Sequence, residues 1–181
     1  FDLALEVEEK RTGQFLVGAG FSSVDNLIGF VEVSQGNFDL FNWPPTGGGQ
    51  KLRLRGTAGT ERNDLELSFT EPWLFDHKLA LNVNLFRRNR SYFSDLYDQR
   101  NTGGEIGIGV PLDAFSRLNL TYGLEEIKIH NVDTNASEFF QSQKGDFLKS
   151  SLTLEVVRDS RDSSFIPTRG MRSSIAGMWA G

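Results

Sequence analysis

Few residues of this 181-residue chain have the types and spacing that catalysis or metal binding requires. The chain has two histidines, His77 and His130, and no cysteine, so neither imidazole has a second ligand at metal-binding spacing. Ser160 lies between Asp159 and Asp162, but no histidine is close in sequence and no Gly-x-Ser-x-Gly elbow occurs. We therefore predict that the chain is not an enzyme and holds no metal or cofactor.

Phosphate and nucleic acid are also poor candidate ligands. The segment Gly47-Gly48-Gly49-Gln50-Lys51 lacks the Gly-Lys-Ser/Thr order of a phosphate loop and precedes a strand pattern instead of a helix. The net charge is -5, and lysine and arginine form no block, so nucleic acid is not an expected partner. The absence of cysteine leaves the redox compartment open.

The dominant pattern is an alternation of two kinds of residue along segments of about ten positions. Leu79, Leu81, Val83 and Leu85, for example, alternate with Ala80, Asn82, Asn84 and Phe86. A tilted strand of about 9–11 residues crosses a membrane, whereas strands of soluble sheets average about 5–6 residues. The sequence thus predicts an all-β fold, an antiparallel up-and-down meander of about nine strands with spanning length. The strands are expected near Gln14–Phe21, Leu27–Gln35, Lys51–Gly59, Asp64–Thr70, Lys78–Arg88, Gly103–Val110, Arg117–Ile129, Leu148–Arg158 and Met171–Ala180.

Proline and aromatic residues gather at one predicted end of these strands. All five prolines, Pro44, Pro45, Pro72, Pro111 and Pro167, fall in every second connection, and alternate connections of a meander lie at one rim. Trp43, Trp73, Phe75 and Phe165 lie beside them. We predict a girdle at the membrane interface, although ordinary aromatic packing at strand ends would give the same pattern.

Alternation alone does not decide which face is inside, because a soluble ligand-binding barrel has the same pattern reversed. The polar positions carry glycines, asparagines and opposite charges such as Arg55 and Glu66, which favours a wet lumen over a solvated exterior. Two polar segments, Asn89–Thr102 and Asn131–Phe147, are predicted as long extracellular loops. Ordinary variation in loop length would look similar.

Several segments resemble, in order, the BamA family of outer-membrane barrel assembly factors. Glu8-Glu9-Lys10-Arg11-Thr12-Gly13 followed by Gly18-Ala19-Gly20-Phe21-Ser22 resembles the junction between the last POTRA domain and the first barrel strand. Phe69-Thr70-Glu71-Pro72-Trp73-Leu74 and Val110-Pro111-Leu112 resemble the ends of the fourth and sixth strands. Asp159-Ser160-Arg161-Asp162, then Phe165-Ile166-Pro167-Thr168-Arg169-Gly170, resembles the turn before the ninth strand.

The resemblance implies a domain plan and a function. Residues 1–12 would be the end of the last POTRA domain and a linker, and residues 13–181 the amino-terminal part of a transmembrane β-barrel of about 16 strands. The family assembles and inserts β-barrel proteins in the outer membrane of Gram-negative bacteria. Its partners are nascent outer-membrane proteins, accessory assembly lipoproteins and the lipid bilayer.

The resemblance also assigns a role to the first strand. In the family this strand forms a lateral gate, so the residues expected to pair with client strands are Gln14, Phe15, Leu16, Val17, Gly18, Ala19, Gly20 and Phe21. Gly18 and Gly20 would let the strand twist or pair loosely. Alternatively, these glycines relieve crowding on the lumen side.

The resemblance is incomplete, and two rival functions stay open. The family's Val-Arg-Gly-Phe or Val-Arg-Gly-Tyr loop and its closing strand have no counterpart here, and an abrupt start at Phe1 and an odd strand number lead us to expect a piece of a longer protein. The first rival is a two-partner secretion translocator or passive outer-membrane pore. The second is a soluble ligand-binding barrel.

Overall fold

The computed structural model describes residues 12–23, 26–92, 97–163 and 165–181. These residues form nine strands in one antiparallel sheet, in which every strand pairs with its neighbours in sequence. The strands are β1 (Gly13–Ser22), β2 (Asn26–Phe38), β3 (Gln50–Gly59), β4 (Arg62–Glu71), β5 (Ala80–Tyr92), β6 (Tyr97–Pro111), β7 (Ser116–His130), β8 (Gly145–Asp159) and β9 (Arg172–Ala180). The predicted meander is confirmed, whereas the total number of strands in a closed barrel stays a prediction. The expected leading strand Phe1–Val7 lies outside the described residues.

One predicted loop is wrong. Most of Asn89–Thr102 is strand, because β5 continues to Tyr92 and β6 begins at Tyr97, opposite it. Polar side chains do not prevent the backbone ladder from continuing, so the polarity of this segment was misleading. The second predicted loop contains the short helix α1 (Glu138–Ser142), which no pattern in the sequence predicted.

The two faces of the sheet differ in chemistry as predicted. The register places Leu81 opposite Ile108, Ile108 opposite Leu120, and Leu120 opposite Leu154, so leucine and isoleucine cross four strands on one side. These residues are uncovered: Leu120 is 44% exposed and Leu154 is 37% exposed. We call this side the apolar face. A sealed leucine core, which a soluble barrel requires, is not what these strands form.

The opposite side, the polar face, is concave and holds most of the buried side chains of the strands. Phe86, Val157 and Asp64 are buried there. A recess of about 690 Å³ is lined by residues from β4, such as Thr70, through β8, such as Glu155. Since strands four positions apart line one recess, the sheet curves around its polar face.

The nine strands create two rims. The turn rim comprises the connections 39–49, 72–79 and 112–115 and the described part of 160–171, and the loop rim comprises the opposite strand ends with the described connections 60–61 and 131–144. Every proline lies at the turn rim, either in one of these connections or, for Pro111, at the last position of β6. Among the described residues, no helix is long and apolar enough to cross a membrane.

Candidate strand-pairing edge and membrane-facing surface

The first strand is one edge of the sheet. β1 pairs with β2 along its whole length, from Gly13 opposite Gln35 to Ser22 opposite Asn26. Within the described ranges, no other strand pairs with β1. The predicted pairing segment Gln14–Phe21 therefore lies on a strand with one edge open in this sheet.

The hydrogen-bond pattern shows which residues of β1 present that open edge. At the start of β1, the N–H of Gly36 on β2 donates to the carbonyl of Thr12 at 3.4 Å. At the end of β3, the N–H of Thr60 donates to the carbonyl of Leu27 on β2 at 3.2 Å. In an antiparallel ladder, alternate residues bond to opposite neighbours. The even-numbered residues of β1 therefore bond to β2, while the odd-numbered ones point their backbone groups away from it: Gly13, Phe15, Val17, Ala19 and Phe21.

Apart from Leu16, the large apolar side chains of β1 lie at these odd-numbered positions. Phe15 is 68% exposed, Val17 is 65% exposed and Phe21 is 78% exposed, all more than Leu120 in the middle of the sheet. Residues that offer free backbone groups are thus also the ones whose side chains lie on the apolar face. Sequence alone could not separate odd from even positions by hydrogen bonding, because this depends on the register with β2.

Gly18 and Gly20 differ in their surroundings on the polar face. A Cβ atom on Gly18 would lie 2.4 Å from Cε1 of the Phe30 ring, whereas one on Gly20 would meet nothing within 4 Å. Gly18 therefore makes room for an aromatic ring on the neighbouring strand, as the crowding hypothesis predicts. Gly20 has no such requirement.

Phe30 belongs to an ordered cluster beside the edge. The guanidinium of Arg55 lies over its ring, 4.3 Å from the centroid, and donates to Oε2 of Glu32 at 3.3 Å. We call Gly18, Phe30, Arg55 and Glu32 the edge cluster. Its cation–π contact and ion pair join β2 to β3 next to the open strand.

The same arrangement recurs farther into the sheet. Arg88 lies 4.2 Å from the centroid of the Phe86 ring, and its Nη2 lies 3.0 Å from Oε1 of Glu66. A Cβ atom on Gly103 would lie 3.1 Å from Cζ of Phe86 and 2.4 Å from the carbonyl oxygen of Leu124. We call Gly103, Phe86, Arg88 and Glu66 the wall cluster. Neither cluster was predicted, because each combines residues of three neighbouring strands.

The four predicted interface aromatics all lie at the turn rim. Their side chains are uncovered, with Trp43 91% exposed, Phe165 95% exposed, and Trp73 and Phe75 also exposed. The ammonium of Lys78 lies 5.7 Å from the Trp73 ring. Exposed rings at one rim have the placement that a membrane-interface girdle requires, and their contact with lipid stays a prediction.

The turn from β8 to β9 accounts for residues that resembled a nucleophile arrangement. The hydroxyl of Ser160 donates to the carbonyl of Met171 and accepts from its N–H, both at 3.1 Å. The Asp162 carboxylate accepts from the hydroxyl and N–H of Thr168 and from the N–H of Arg169, and these bonds lower its pKa to about 2. Ser160 and Asp162 therefore close a turn.

Gly170 completes this turn. Its φ is +88°, and a Cβ atom would lie 2.1 Å from the carbonyl oxygen of Ser160, so no other residue fits without movement of the backbone. Asp159 is paired with Arg161 at 2.8 Å. Among the described residues, no three histidine, cysteine or acidic side chains are grouped to hold a metal ion.

Comparisons with known proteins agree with this architecture. The model of the Omp85 superfamily domain matches residues 45–181. The chain is 26% identical over 93% of its length to outer membrane protein assembly factor BamA of Nitratidesulfovibrio vulgaris, and 24% identical over 99% of its length to BamA of Neorickettsia risticii. It is also 26% identical over 93% of its length to a sorting and assembly machinery component 50 homolog of Xenopus tropicalis. The predicted resemblance to the BamA family is confirmed.

A solved structure has the same fold. The crystal structure of BamA from Haemophilus ducreyi lacking POTRA domains 1-3 covers 96% of this chain with a TM-score of 0.69 and 22% sequence identity. The chain spans 20% and 23% of the two BamA relatives, 34% of the Xenopus protein and 35% of the solved chain. The comparisons therefore concern a part of each relative.

Proposed function

Because this chain belongs to the Omp85 superfamily, we propose that it is the amino-terminal part of an outer-membrane β-barrel that assembles and inserts other β-barrel proteins. Two BamA relatives carry the name of an outer membrane protein assembly factor, and the fold matches that of a solved BamA. The observation that supports a pairing role most directly is the open edge of β1. The remaining strands are the wall of the barrel.

The edge provides the driving force for pairing. In lipid, each backbone N–H or C=O group without a partner costs several kcal/mol, so an open edge strongly favours capture of another strand. The odd-numbered backbone groups of β1 point away from β2, while the side chains of Phe15, Val17 and Phe21 lie on the apolar face. A client strand that pairs here extends the apolar face and leaves the register between β1 and β2 unchanged.

Backbone pairing also explains a broad range of clients. Hydrogen bonds to main-chain groups are largely independent of side-chain identity, so β-augmentation accepts many sequences. The client's own burial and hydrogen bonding drive insertion, so the step needs no bond cleavage, nucleotide or cofactor. The partners are nascent outer-membrane proteins and the accessory lipoproteins of the whole machine, in contact with the bilayer through the apolar face and the aromatic girdle.

Site-specific crosslinking in the full-length parent protein tests this function. Cysteines placed along Gln14–Phe21 are expected to trap nascent outer-membrane proteins. Cysteines along β5, which is paired on both sides, are the matched control. Equal crosslinking from β1 and β5 would exclude a gate at β1.

Transport provides a second test, which separates assembly from the pore and translocator alternatives. Depletion of the parent protein should lower the amount of folded barrel proteins in the outer membrane. If the amount of folded barrel proteins is unchanged and the export of one protein or the uptake of one solute is lost, the protein serves transport and not assembly.

A further inference from the structure

Strands β5 to β8 continue past the apolar residues toward the loop rim. On β5 the side chain of Arg87 follows that of Leu85 on the same side of the sheet, because strand side chains alternate. The register places Arg87 opposite Thr102, and Asn89 opposite Arg100. The boundary between apolar and polar residues on this side therefore crosses β5 between Leu85 and Arg87.

Arg87 and Arg100 lie just beyond that boundary, and neither forms an ion pair within the described residues. Arg87 is exposed, and within the described residues it has no hydrogen bond or ion pair. Arg100 uses one of its five N–H donors, from Nε to Oδ1 of Asn89 at 2.9 Å. By contrast, Lys128 on β7 is neutralised by Glu126 at 3.1 Å and Asp146 at 3.4 Å.

The two arginines are close enough to share one ligand. They occupy diagonal positions on adjacent antiparallel strands, and such positions lie about 7–8 Å apart. Both side chains project from the side of the sheet that carries the apolar face. Two guanidinium groups at this separation can bind the oxygens of a single phosphate group.

A small polar groove that Arg100 helps to line lies near the loop-rim ends of β4 to β7. Its volume is about 140 Å³, and it is lined by Glu61, Asn63, Asn89, Arg90, Ser91, Asp98, Gln99, Arg100 and His130. Asp98 accepts a hydrogen bond from Nδ2 of Asn131 at 2.7 Å. Amide, hydroxyl, imidazole and carboxylate groups in one groove supply both donors and acceptors, which suits a ligand rich in hydroxyl groups.

We propose that this outward polar patch, Arg87, Arg100 and the adjoining groove, binds the phosphorylated saccharide headgroup of a lipid in the outer leaflet. The headgroup layer begins where the apolar face ends, so a lipid whose chains cover Leu85 places its headgroup beside Arg87. The arginines hold the phosphate and the groove holds the sugar. The proposal depends on a membrane-facing apolar face and is independent of strand capture by β1.

Lipid binding to the full-length parent protein tests the proposal. The protein is placed in phosphatidylcholine nanodiscs that contain a small fraction of lipid A, and the bound lipid is counted by native mass spectrometry. Each of Arg87→Gln and Arg100→Gln should lower the affinity about fivefold, the usual effect of one cation near an anionic surface. Arg87→Lys should retain most of the binding, since it keeps the charge.

Arg117→Gln is the matched control. It removes the same charge from an exposed arginine that lines the recess on the polar face. The proposal predicts no loss of lipid A in this variant, and an equal loss would overturn it. It is also overturned if dephosphorylated lipid A binds as well as the phosphorylated form, or if free glucosamine phosphate competes as strongly as the lipid. A thermal unfolding curve for every variant shows that the barrel is folded.

Discussion

The edge cluster and the wall cluster have the same composition but different surroundings. In each, a phenylalanine ring leans over a glycine on a neighbouring strand, and an arginine lies over the ring and pairs with a glutamate. Gly18 of the edge cluster is on a strand with one neighbour, whereas Gly103 is on β6, between β5 and β7. Similar side-chain contacts therefore occur beside β1, which can accept another strand, and beside β6, which cannot.

The comparison indicates what makes a pairing edge. β1 has the same alternation as β7, and both strands carry glycine on the polar face. They differ in whether their backbone groups have partners, because every position of β7 bonds to β6 or β8, whereas the odd-numbered positions of β1 face away from β2, its one neighbour in this sheet. The candidate function thus depends on position in the sheet and not on a special side chain.

Proline substitution should separate the two regions most strongly. Val17→Pro removes an N–H that points to the open edge, so β1 should stay paired with β2 while crosslinks to client proteins are lost. Leu120→Pro removes an N–H from the β7 ladder and leaves a carbonyl of the neighbouring strand without its donor, which costs several kcal/mol in lipid and should prevent assembly of the wall. Heat-modifiable migration on gels measures folding, and crosslinking measures pairing. Gly18→Pro, which removes an N–H bonded to β2, is the control, and a Val17→Pro protein that still captures clients would contradict the edge model.

Alanine at the two cluster glycines should show the next largest difference. At Gly103 the new Cβ would lie 2.4 Å from a backbone oxygen, so the strand pair itself must move, and a loss of about 3 kcal/mol is expected. At Gly18 the obstacle is the end of the Phe30 ring, which can rotate, so the loss should be about 1 kcal/mol. Denaturant unfolding in detergent measures both values. Gly20→Ala should change stability by less than about 0.5 kcal/mol, and a loss at Gly20 equal to that at Gly18 would refute the crowding explanation.

Replacement of the cluster arginines should have smaller and similar effects. Arg55→Met and Arg88→Met each remove a cation–π contact and an ion pair that are partly open to solvent, so each should cost about 1 kcal/mol. The shift of the unfolding midpoint measures the loss of stability. Added salt weakens the ion pair in the unsubstituted protein, so it should make this shift smaller. Arg117→Met, which removes an exposed arginine from the polar face, is the control. A loss confined to Arg88→Met would show that the edge cluster does not stabilise the sheet.

The β8–β9 turn provides the smallest expected effect and a baseline outside both clusters. The pKa of Asp162 is lowered to about 2, so the turn should be fully stabilised above about pH 4 and weakened as the pH falls toward 2. The protection of the Thr168 and Arg169 amides from hydrogen exchange, taken relative to the intrinsic exchange rate at each pH, should fall in that window. Asp162→Asn should exchange faster at neutral pH and show no such transition, and a transition retained in this variant would point to another group.

Much of the fold could be predicted because strand alternation is a local property. All nine strands, the rim that carries the prolines and the chemistry of both faces follow from residue types that repeat with a period of two. The error at Asn89–Thr102 arose because polar residues are as compatible with a ladder as apolar ones when the backbone bonds are complete. The clusters and the patch at Arg87 and Arg100 were not predictable, because their members are brought together by the register of different strands.

The sequence by itself determined that this chain forms a meander with one apolar and one polar face, since side-chain direction in a strand follows directly from residue order. It also placed Trp43, Trp73, Phe75 and Phe165 at one rim. Only the tertiary structure decided which backbone groups of β1 face away from β2 and which arginines lack an acidic partner. These properties depend on cross-strand register and on the position of a strand within the sheet, which no single segment encodes.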